Sequence, residues 1–242
     1  MEKHLVGLLV PATNYATENE FHALKQPGLF VVSERIWNVY ESNGTTIEST
    51  KGMNNDVRRA ALYVSARPGV EIITYACTAG SFFEGPDTDE DISKEILEAT
   101  GIQAITTTTC VIEAFRKLNI QKLSVATPYG SLRNQMLKIF FEAAGVEVVS
   151  VQTPGEAGYT NALVGEESES LIQAVESVVH PDTDAVFISS TGVRAMHLLD
   201  EMEERLKRPV ITANQATVWG TFRKIGATPS ISGFGCLLRN IN

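Results

Sequence analysis

One cysteine carries most of the chemical potential of this sequence. Cys77 lies in the run YACTAGS, directly after an apolar run, Val70–Tyr75, that has the composition of a buried strand. The small residues that follow are typical of a turn into a helix. A helix N-terminus lowers the pKa of a thiol, and the thiolate is the reactive form. The sequence therefore predicts that Cys77 acts as a nucleophile or proton donor, the alternative being a small buried core residue.

The other cysteines and the histidines show no comparable pattern. Cys110 lies in a helical pattern and Cys236 lies near the C-terminal end, so core packing is the simpler interpretation of both. The three cysteines are widely spaced without a CxxC pair, which argues against a disulfide framework or a zinc site. The four histidines show no ligand spacing. We expect no metal site.

Small polar residues follow four of the predicted strands. In open parallel sheets, ligands bind beyond the carboxyl ends of the strands, where backbone N–H groups at helix N-termini suit a carboxylate or an enolate. Asn14 and Tyr129 are placed to hydrogen-bond a carboxylate, with a helix cap and a half-buried aromatic as the alternatives. Glu18 and Glu20 are interpreted as complementing a helix dipole. The four loops are Pro11–Asn14, Cys77–Ser81, Thr127–Gly130 and Ser190–Gly192.

Short β-rich runs alternate with longer amphipathic runs, a pattern that predicts mostly parallel sheets covered by helices. The predicted strands are Leu5–Val10, Leu29–Val32, Val70–Tyr75, Gln103–Thr106, Lys122–Ala126, Glu147–Val151, Ala185–Ser189 and Val210–Thr212. The predicted helices are Asp56–Ala66, Asp89–Thr100, Cys110–Leu118, Leu132–Ala144, Ser168–Val179, Val193–Leu206 and Gln215–Ile225.

The chain contains a weak internal repeat. GLLVPATN is echoed by LSVATPYG, and IITYACTAGS is matched in position by VFISSTGVRA, with nearly the same separation in both cases. We predict two pseudo-symmetric, doubly wound α/β lobes, each with a mostly parallel sheet, and an active site in the cleft between them. The lobes are residues 1–118 and 119–242, and the helix over 214–226 is expected to pack back on the first lobe.

The overall charge excludes one class of partner. The formal net charge of the 242 residues is −9, without a basic stripe, so nucleic acid is not an expected partner. The apolar run Leu5–Val10 is interrupted by Pro11 before it reaches the length of a signal sequence. No run has the roughly 18 apolar residues of a spanning helix. The sequence therefore predicts a cytoplasmic protein without a membrane partner.

The motifs together resemble the aspartate/glutamate racemase superfamily, and within it the branch of maleate cis-trans isomerase and arylmalonate decarboxylase. The matching segments are VPATN with Glu18, YACTAGSFFEG, TTTTCVIEAFRKL, VATPY, FISSTGVRAM and PVITANQATVWG, which span nearly the whole chain. The resemblance implies no metal or organic cofactor, chemistry at carbon next to a carboxylate, a small carboxylate or dicarboxylate substrate, and a homo-oligomer.

The racemase pattern places one cysteine on each lobe. Cys77 matches the first position, whereas the second position falls on Ser190 in SSTG. A serine hydroxyl is not an acid comparable to a thiol and needs a neighbouring base to act. Two-base racemisation is therefore disfavoured.

The expected reaction is isomerisation. By resemblance, the Cys77 thiolate adds to the double bond of a cis-enedioate such as maleate, and expulsion of the thiolate after bond rotation gives the trans isomer. The carboxylates would be held by three side chains and by backbone near two loops. The expected catalytic residues are Cys77 and Ser190, and the expected substrate-binding residues are Asn14, Thr78, Ala79, Tyr129, Asn161, Thr191 and Gly192.

Two other functions stay open at this point. A malonate-type decarboxylase would use Cys77 as the proton donor, although the decarboxylases of this branch carry their cysteine at the second-lobe position. A protein that lost one catalytic residue could instead bind a dicarboxylate without turning it over, with Cys77 inert.

Overall fold

Two parallel sheets form the framework. The computed structural model describes residues 3–37, 47–155, 163 and 168–239. In these ranges the strands are β1 (His4–Pro11), β2 (Leu29–Ile36), β3 (Val70–Tyr75), β4 (Ala104–Thr106), β5 (Lys122–Ala126), β6 (Glu147–Gln152), β7 (Ala185–Ile188) and β8 (Val210–Thr212). The helices are α1 (Ala16–Ala23), α2 (Ile47–Asn55), α3 (Val57–Ser65), α4 (Thr78–Phe82), α5 (Thr88–Thr100), α6 (Thr107–Lys117), α7 (Ser131–Ala143), α8 (Ser168–Glu176), α9 (Leu199–Leu206), α10 (Ala213–Lys224) and α11 (Cys236–Arg239).

The strand order is the same in both sheets. The first sheet runs β2-β1-β3-β4 and the second β6-β5-β7-β8, and every pairing is parallel. The second order repeats the first with each strand replaced by its counterpart four strands later, so the lobes are pseudo-symmetric. The predicted α/β class with two doubly wound lobes is confirmed, and each of the eight predicted strands is present.

The apolar residues of β1 explain why this strand is central. Val6, Leu8 and Val10 face one core, whereas Leu9 faces a second, smaller core on the other side of the sheet. A strand that is covered on both faces is apolar throughout and does not alternate. The run Leu5–Val10 is therefore a buried strand, as its composition predicts.

The two lobes share the larger of these cores. Phe115 on α6 packs edge to face against Phe141 on α7 and Phe187 on β7, with ring centroids 5.5 and 5.6 Å away. Phe115 comes from the first sheet's half of the chain and its two partners come from the second half. The sheets are thus joined through apolar packing, which fixes their strand ends relative to one another.

Helix α10 packs against α6 at very short range. A Cβ atom at Gly220 would lie 2.4 Å from the Cys110 sulfur, so only glycine fits at this crossing. The Thr217 hydroxyl donates a hydrogen bond of 3.1 Å to the Thr107 hydroxyl across the same contact. Helix α10 therefore packs against α6, a helix of the first lobe. The division of the chain at residue 118 stays a prediction.

Several helices differ from the prediction. The short helices α2 and α11 have no counterpart in the prediction, and α1 and α4 are expected only from the turns before them, without bounds, because a helix of four to nine residues shows little periodicity. The helix predicted over Val193–Leu206 is wrong at its start: residues 193–195 are irregular, Met196–Leu198 form a 3-10 turn, and α9 begins only at Leu199. No helix in the described ranges is long and apolar enough to cross a membrane.

Candidate active site

The carboxyl ends of the central strands of both sheets meet at one place. The Thr191 hydroxyl, just after β7, donates to the carbonyl of Ala76, just after β3, at 3.2 Å. The same hydroxyl accepts a 2.9 Å hydrogen bond from the Asn14 side chain, which follows β1. The loops after β1 and β7 are thus in direct contact, and the β7 loop also contacts Ala76, the residue directly before the Cys77 loop.

Cys77 is the N-cap residue of α4. Its sulfur accepts a hydrogen bond from the Gly80 N–H at 3.4 Å, and the Ser81 hydroxyl donates to the Cys77 carbonyl at 2.6 Å. Gly80 cannot carry a side chain, because a Cβ atom there would lie 2.1 Å from the Tyr75 hydroxyl. The small residues of CTAGS therefore allow α4 to begin directly against β3 with its first turn around the sulfur.

The expectation of a lowered thiol pKa is wrong for Cys77. The residue is only 6% exposed, and this burial raises the pKa of the thiol because the thiolate is poorly solvated. The Gly80 N–H, the Tyr75 hydroxyl and the positive charge of Arg133 oppose the rise only in part. Helix α4 has five residues, too few to offset the desolvation. The thiol is therefore protonated at neutral pH.

Helix α2 covers Cys77, a role that the sequence did not reveal. The Met53 sulfur lies 4.0 Å from the Cys77 sulfur. The Tyr75 hydroxyl donates to the Asn54 side-chain oxygen at 2.6 Å, and the Asn54 amide donates to the Gly80 carbonyl at 3.0 Å. These contacts fasten α2 to the loop around the thiol. They are the physical reason for the burial of Cys77.

Tyr129 follows β5 and faces the same region. Its ring packs edge to face on Phe82 of α4, with centroids 6.2 Å apart. Burial, together with the nearby Cys77, raises the pKa of Tyr129 to about 12, while the Ser189 and Ser190 hydroxyls lower it slightly. The tyrosine hydroxyl therefore lies near both the thiol of the first lobe and the serines of the second.

Ser190 has a strained backbone. Its φ angle of +90° is in the left-handed region that non-glycine residues rarely adopt. The side chain accepts a hydrogen bond from the Gly192 N–H at 3.2 Å, which closes a tight turn after β7. Strain of this kind persists only where the surrounding structure fixes it, and it is frequent at functional sites.

Asn14 already uses its full hydrogen-bonding capacity. Its side-chain oxygen accepts from the N–H groups of Ala16 and Thr17 at 2.9 and 3.1 Å, so it caps α1. Its amide donates to the hydroxyls of Thr17 and Thr191 at 3.1 and 2.9 Å. A substrate carboxylate would have to replace one of these hydroxyl acceptors, and Thr191 is the one that belongs to the opposite lobe.

Two buried hydroxyls at the strand ends lack a hydrogen-bond partner among the described residues, those of Thr78 and Ser189. Thr78 directly follows Cys77, and Ser189 directly precedes Ser190. The Ser189 hydroxyl lies near that of Tyr129 but not in hydrogen-bonding geometry. Ala79, beside Thr78, is half-buried. Asn161 lies outside the described residues.

Arg133 is a site residue that the sequence interpretation missed. It lies in the first turn of α7, and its guanidinium donates to the buried Thr50 hydroxyl of α2 at 3.0 Å. Its positive charge lowers the pKa of both Cys77 and Tyr129. The available signal was its place in the first turn of the helix that follows Tyr129, because this turn begins at the same strand end.

The interpretation of Glu20 as a helix-dipole partner is wrong. The residue is 5% exposed, and its carboxylate accepts a 2.8 Å hydrogen bond from the Met196 N–H. Glu20 lies on the helix face shared by Thr17, Phe21 and Leu24, all of which are buried. This spacing of three and four residues was the signal that could have placed it in the interior.

A comparison with models of protein families shows which family the chain belongs to. The model of the family described as arylmalonate decarboxylase matches residues 43–238, most of the chain. The chain belongs to the arylmalonate decarboxylase family. The chain is similar to the maleate isomerase of Geobacillus stearothermophilus, to which it is 25% identical over 255 residues, with 98% of each chain covered. The arylmalonate decarboxylase of Bordetella bronchiseptica is 25% identical over 164 residues, with 66% of this chain and 67% of the relative covered.

Solved structures show the same fold. The maleate isomerase Iso of Pseudomonas putida S16 matches with a TM-score of 0.90 at 23% identity and covers 100% of both chains. A cysteine-to-serine mutant of the Nocardia farcinica maleate cis-trans isomerase with a covalently bound succinylcysteine intermediate matches with a TM-score of 0.88 at 24% identity, covering 98% of both chains. The resemblance derived from the motifs is confirmed. This family member is therefore an enzyme of the branch that contains maleate isomerases and arylmalonate decarboxylases.

Proposed function

We propose that the protein is a cofactor-independent isomerase that converts a cis-enedioate such as maleate into its trans isomer through a covalent adduct on Cys77. The observation that carries this proposal is the placement of one buried thiol, with Arg133 acting on it, where the strand ends of both lobes meet. Two full-length relatives in the comparison, from Geobacillus stearothermophilus and Nocardia farcinica, are maleate isomerases, which supports it.

The proposed first step is addition of the thiol to the double bond. The Cys77 sulfur forms a bond to one alkene carbon while the π electron pair moves onto the neighbouring carboxylate. The thiol proton moves to an oxygen of the resulting enediolate, so charge and atoms balance. The former double bond is then a single bond and can rotate. Reversal of the step, with the carbon–sulfur pair leaving on sulfur and the proton returning to it, releases the trans isomer.

The site supplies positive charge where the enediolate develops. The positive charge of Arg133 favours the ionised forms of Cys77 and Tyr129, and an enediolate beside the sulfur would be stabilised by the same charge. The Thr78 hydroxyl, which is buried without a partner among the described residues, is available as a donor. We assign carboxylate binding to Asn14, Tyr129 and Asn161, and to the backbone near Thr78, Ala79, Thr191 and Gly192.

This route does not require Ser190 to act as an acid toward carbon. The electrons that form the enediolate return to the double bond when sulfur leaves, so neither alkene carbon takes a proton. Ser190 then contributes a hydrogen bond and the shape of its turn. The Nocardia farcinica cysteine-to-serine mutant holds a succinylcysteine intermediate, which supports a covalent cysteine adduct. A succinyl group is saturated, so one former alkene carbon of that adduct carries an added proton, and deuterium on the fumarate formed here would indicate the same step.

Proton NMR in deuterated buffer tests the proposal directly. We expect maleate to give fumarate without deuterium on carbon, and we expect C77A and C77S to lower turnover by at least about a thousandfold, because the nucleophile is lost. C236S is the matched control, since Cys236 lies on α11 and binds Glu203 through its backbone N–H. Unchanged turnover in C77A would overturn the proposal, and deuterated fumarate would show that carbon is protonated.

A malonate-type decarboxylase is the second candidate, because the matching family model carries that description. Cys77 would then protonate the enediolate left after carbon dioxide departs. The same NMR experiment with a substituted malonate would show loss of carbon dioxide and deuterium at the product's α carbon. An inactive dicarboxylate-binding protein would instead show neither reaction, while maleate protects Cys77 from alkylation.

Two further expectations stay predictions. We propose a homo-oligomer, which light scattering of the purified protein measures. We propose a cytoplasmic location, which cell fractionation tests.

A further inference from the structure

Glu20 joins three elements inside the molecule. One carboxylate oxygen accepts from the Met196 N–H at 2.8 Å, and the other accepts from the Asn214 amide at 2.5 Å. Glu20 is on α1, Met196 begins the 3-10 turn before α9, and Asn214 is in the first turn of α10. A buried carboxylate with two specific donors from different parts of the chain ties these parts together.

The contacts continue from Glu20 to the turn that carries Ser190. The Asn214 amide also lies 3.1 Å from the Thr191 carbonyl and 3.2 Å from the Val193 carbonyl. Its side-chain oxygen accepts from the Thr17 hydroxyl at 3.0 Å. Residues 190–196 are thus held against α1 and α10 by a polar network that includes Glu20, and Thr191 in turn contacts the strand end next to Cys77.

The hydrogen bonds of Glu20 are strongest in its ionised form. Both carboxylate oxygens act as acceptors, and a proton on either oxygen would occupy one of its lone pairs, compete with the donor there and weaken one of the two bonds. Burial raises the pKa of Glu20 to about 7, while the N–H of Met196, the Asn214 amide, the N–H of Ala195 and the charge of Arg194 lower it. Arg194 is the charged group on the described elements packed against Glu20 that acts on it. Glu18, on its own helix, is paired with Arg35.

We propose that ionised Glu20 is a positioning residue that holds residues 190–196 in place, so that Ser190 and Thr191 are ready to receive the substrate. The proposal rests on the proposed function only in that the bound molecule is a dicarboxylate. Protonation of Glu20 weakens one of its bonds, and the turn at Ser190, with its strained φ angle, loses part of the support that fixes it.

The kinetic test compares wild type with E20Q and D89N between pH 5.5 and pH 8. Asp89 is the matched control: it is also a buried carboxyl with a raised pKa, but it binds Thr109 and its own helix. We expect KM for maleate to rise up to about tenfold per pH unit below pH 7 in wild type and D89N. In E20Q we expect a higher KM at pH 8 that changes far less with pH. Ionisation of the substrate affects all three proteins equally.

Hydrogen exchange of residues 190–196 tests the same proposal without turnover. We expect the Met196 amide to lose protection as pH falls through 7 in wild type, after correction for the intrinsic exchange rate, and to have low protection at every pH in E20Q. If the Met196 amide loses protection as expected but the protein does not react with maleate, the proposed function is rejected and the role of Glu20 is retained. Identical KM profiles and identical protection in wild type and E20Q would overturn the role of Glu20. If E20Q does not fold, the wild-type protection profile of Met196, compared with that of Thr109, decides the question.

Discussion

At the scale of single residues, the reactivity of Cys77 is set by opposing effects. Burial under α2 favours the neutral thiol, whereas the Gly80 N–H, the Tyr75 hydroxyl and Arg133 favour the thiolate. Burial is the largest of these effects, so the resting enzyme holds a protonated thiol. A protonated resting thiol suits the proposed addition, because the same proton can neutralise the enediolate.

Alkylation of Cys77 with iodoacetamide reports this balance. We expect the pH midpoint of the reaction to lie above that of a free cysteine, and R133Q to react severalfold more slowly at pH 8 because the stabilising charge is lost. K138M, on the same helix, removes an exposed lysine paired with Glu142 and serves as the control. A wild-type midpoint at or below that of free cysteine would contradict the assigned effect of burial.

Much of the site could be predicted at this scale, but its electrostatics could not. Cys77, Tyr129, Asn14 and Thr191 follow strands of recognisable composition, and the structure brings all four to one place. The direction of the thiol pKa depends on Met53 and Asn54 in α2, a helix without a clear periodic signal. Pattern along the chain does not show which distant segment covers a side chain.

At the scale of elements, strands were more predictable than helices. Strands covered on both faces are short apolar runs with clear ends, whereas two helices that begin at the site, α1 and α4, are short and capped by site residues. Cys77 caps α4 with its sulfur, and Asn14 caps the start of α1 with its side-chain oxygen. These residues serve local structure and the site at once, so their types alone do not separate the two roles.

The crossing of α6 and α10 allows a prediction about stability. G220A is expected to destabilise the protein by about 1–3 kcal/mol, because the added methyl group would overlap the Cys110 sulfur. G52A is the control: its Cβ atom meets nothing within 4 Å in α2, so up to about 1 kcal/mol of stabilisation is expected. Urea unfolding measures both. The double variant G220A/C110A should recover part of the loss, and equal stability of G220A and wild type would reject the close contact.

At the scale of the whole molecule, the internal repeat predicted two lobes but not how they are joined. The apolar contacts of Phe115 and the polar contacts of Glu20 and Asn214 connect parts of the chain that are far apart in sequence. Such pairings are set by the three-dimensional packing of elements, and one sequence carries no direct record of them. The polar contacts of Glu20 also make the stability of the entire fold depend on pH.

Ionisation of Glu20 makes the folded molecule less stable as pH rises. Its pKa rises from 4.5 to about 7 on folding, so its favourable contribution is complete below pH 4.5 and is lost as pH increases through 7. Relative to E20Q, the free energy of unfolding of wild type should fall by about 3 kcal/mol between pH 4.5 and pH 8. Urea unfolding at several pH values measures this difference, with E98Q, an exposed glutamate variant, expected to stay parallel to wild type. A constant difference between wild type and E20Q would show that the pKa of Glu20 does not rise on folding. Ionised Glu20 thus lowers stability at the pH at which its hydrogen bonds are complete. A neutral glutamine would fill the same space without the cost of a buried charge. We therefore infer that the hydrogen bonds of the carboxylate serve the turn at Ser190 and not the stability of the fold.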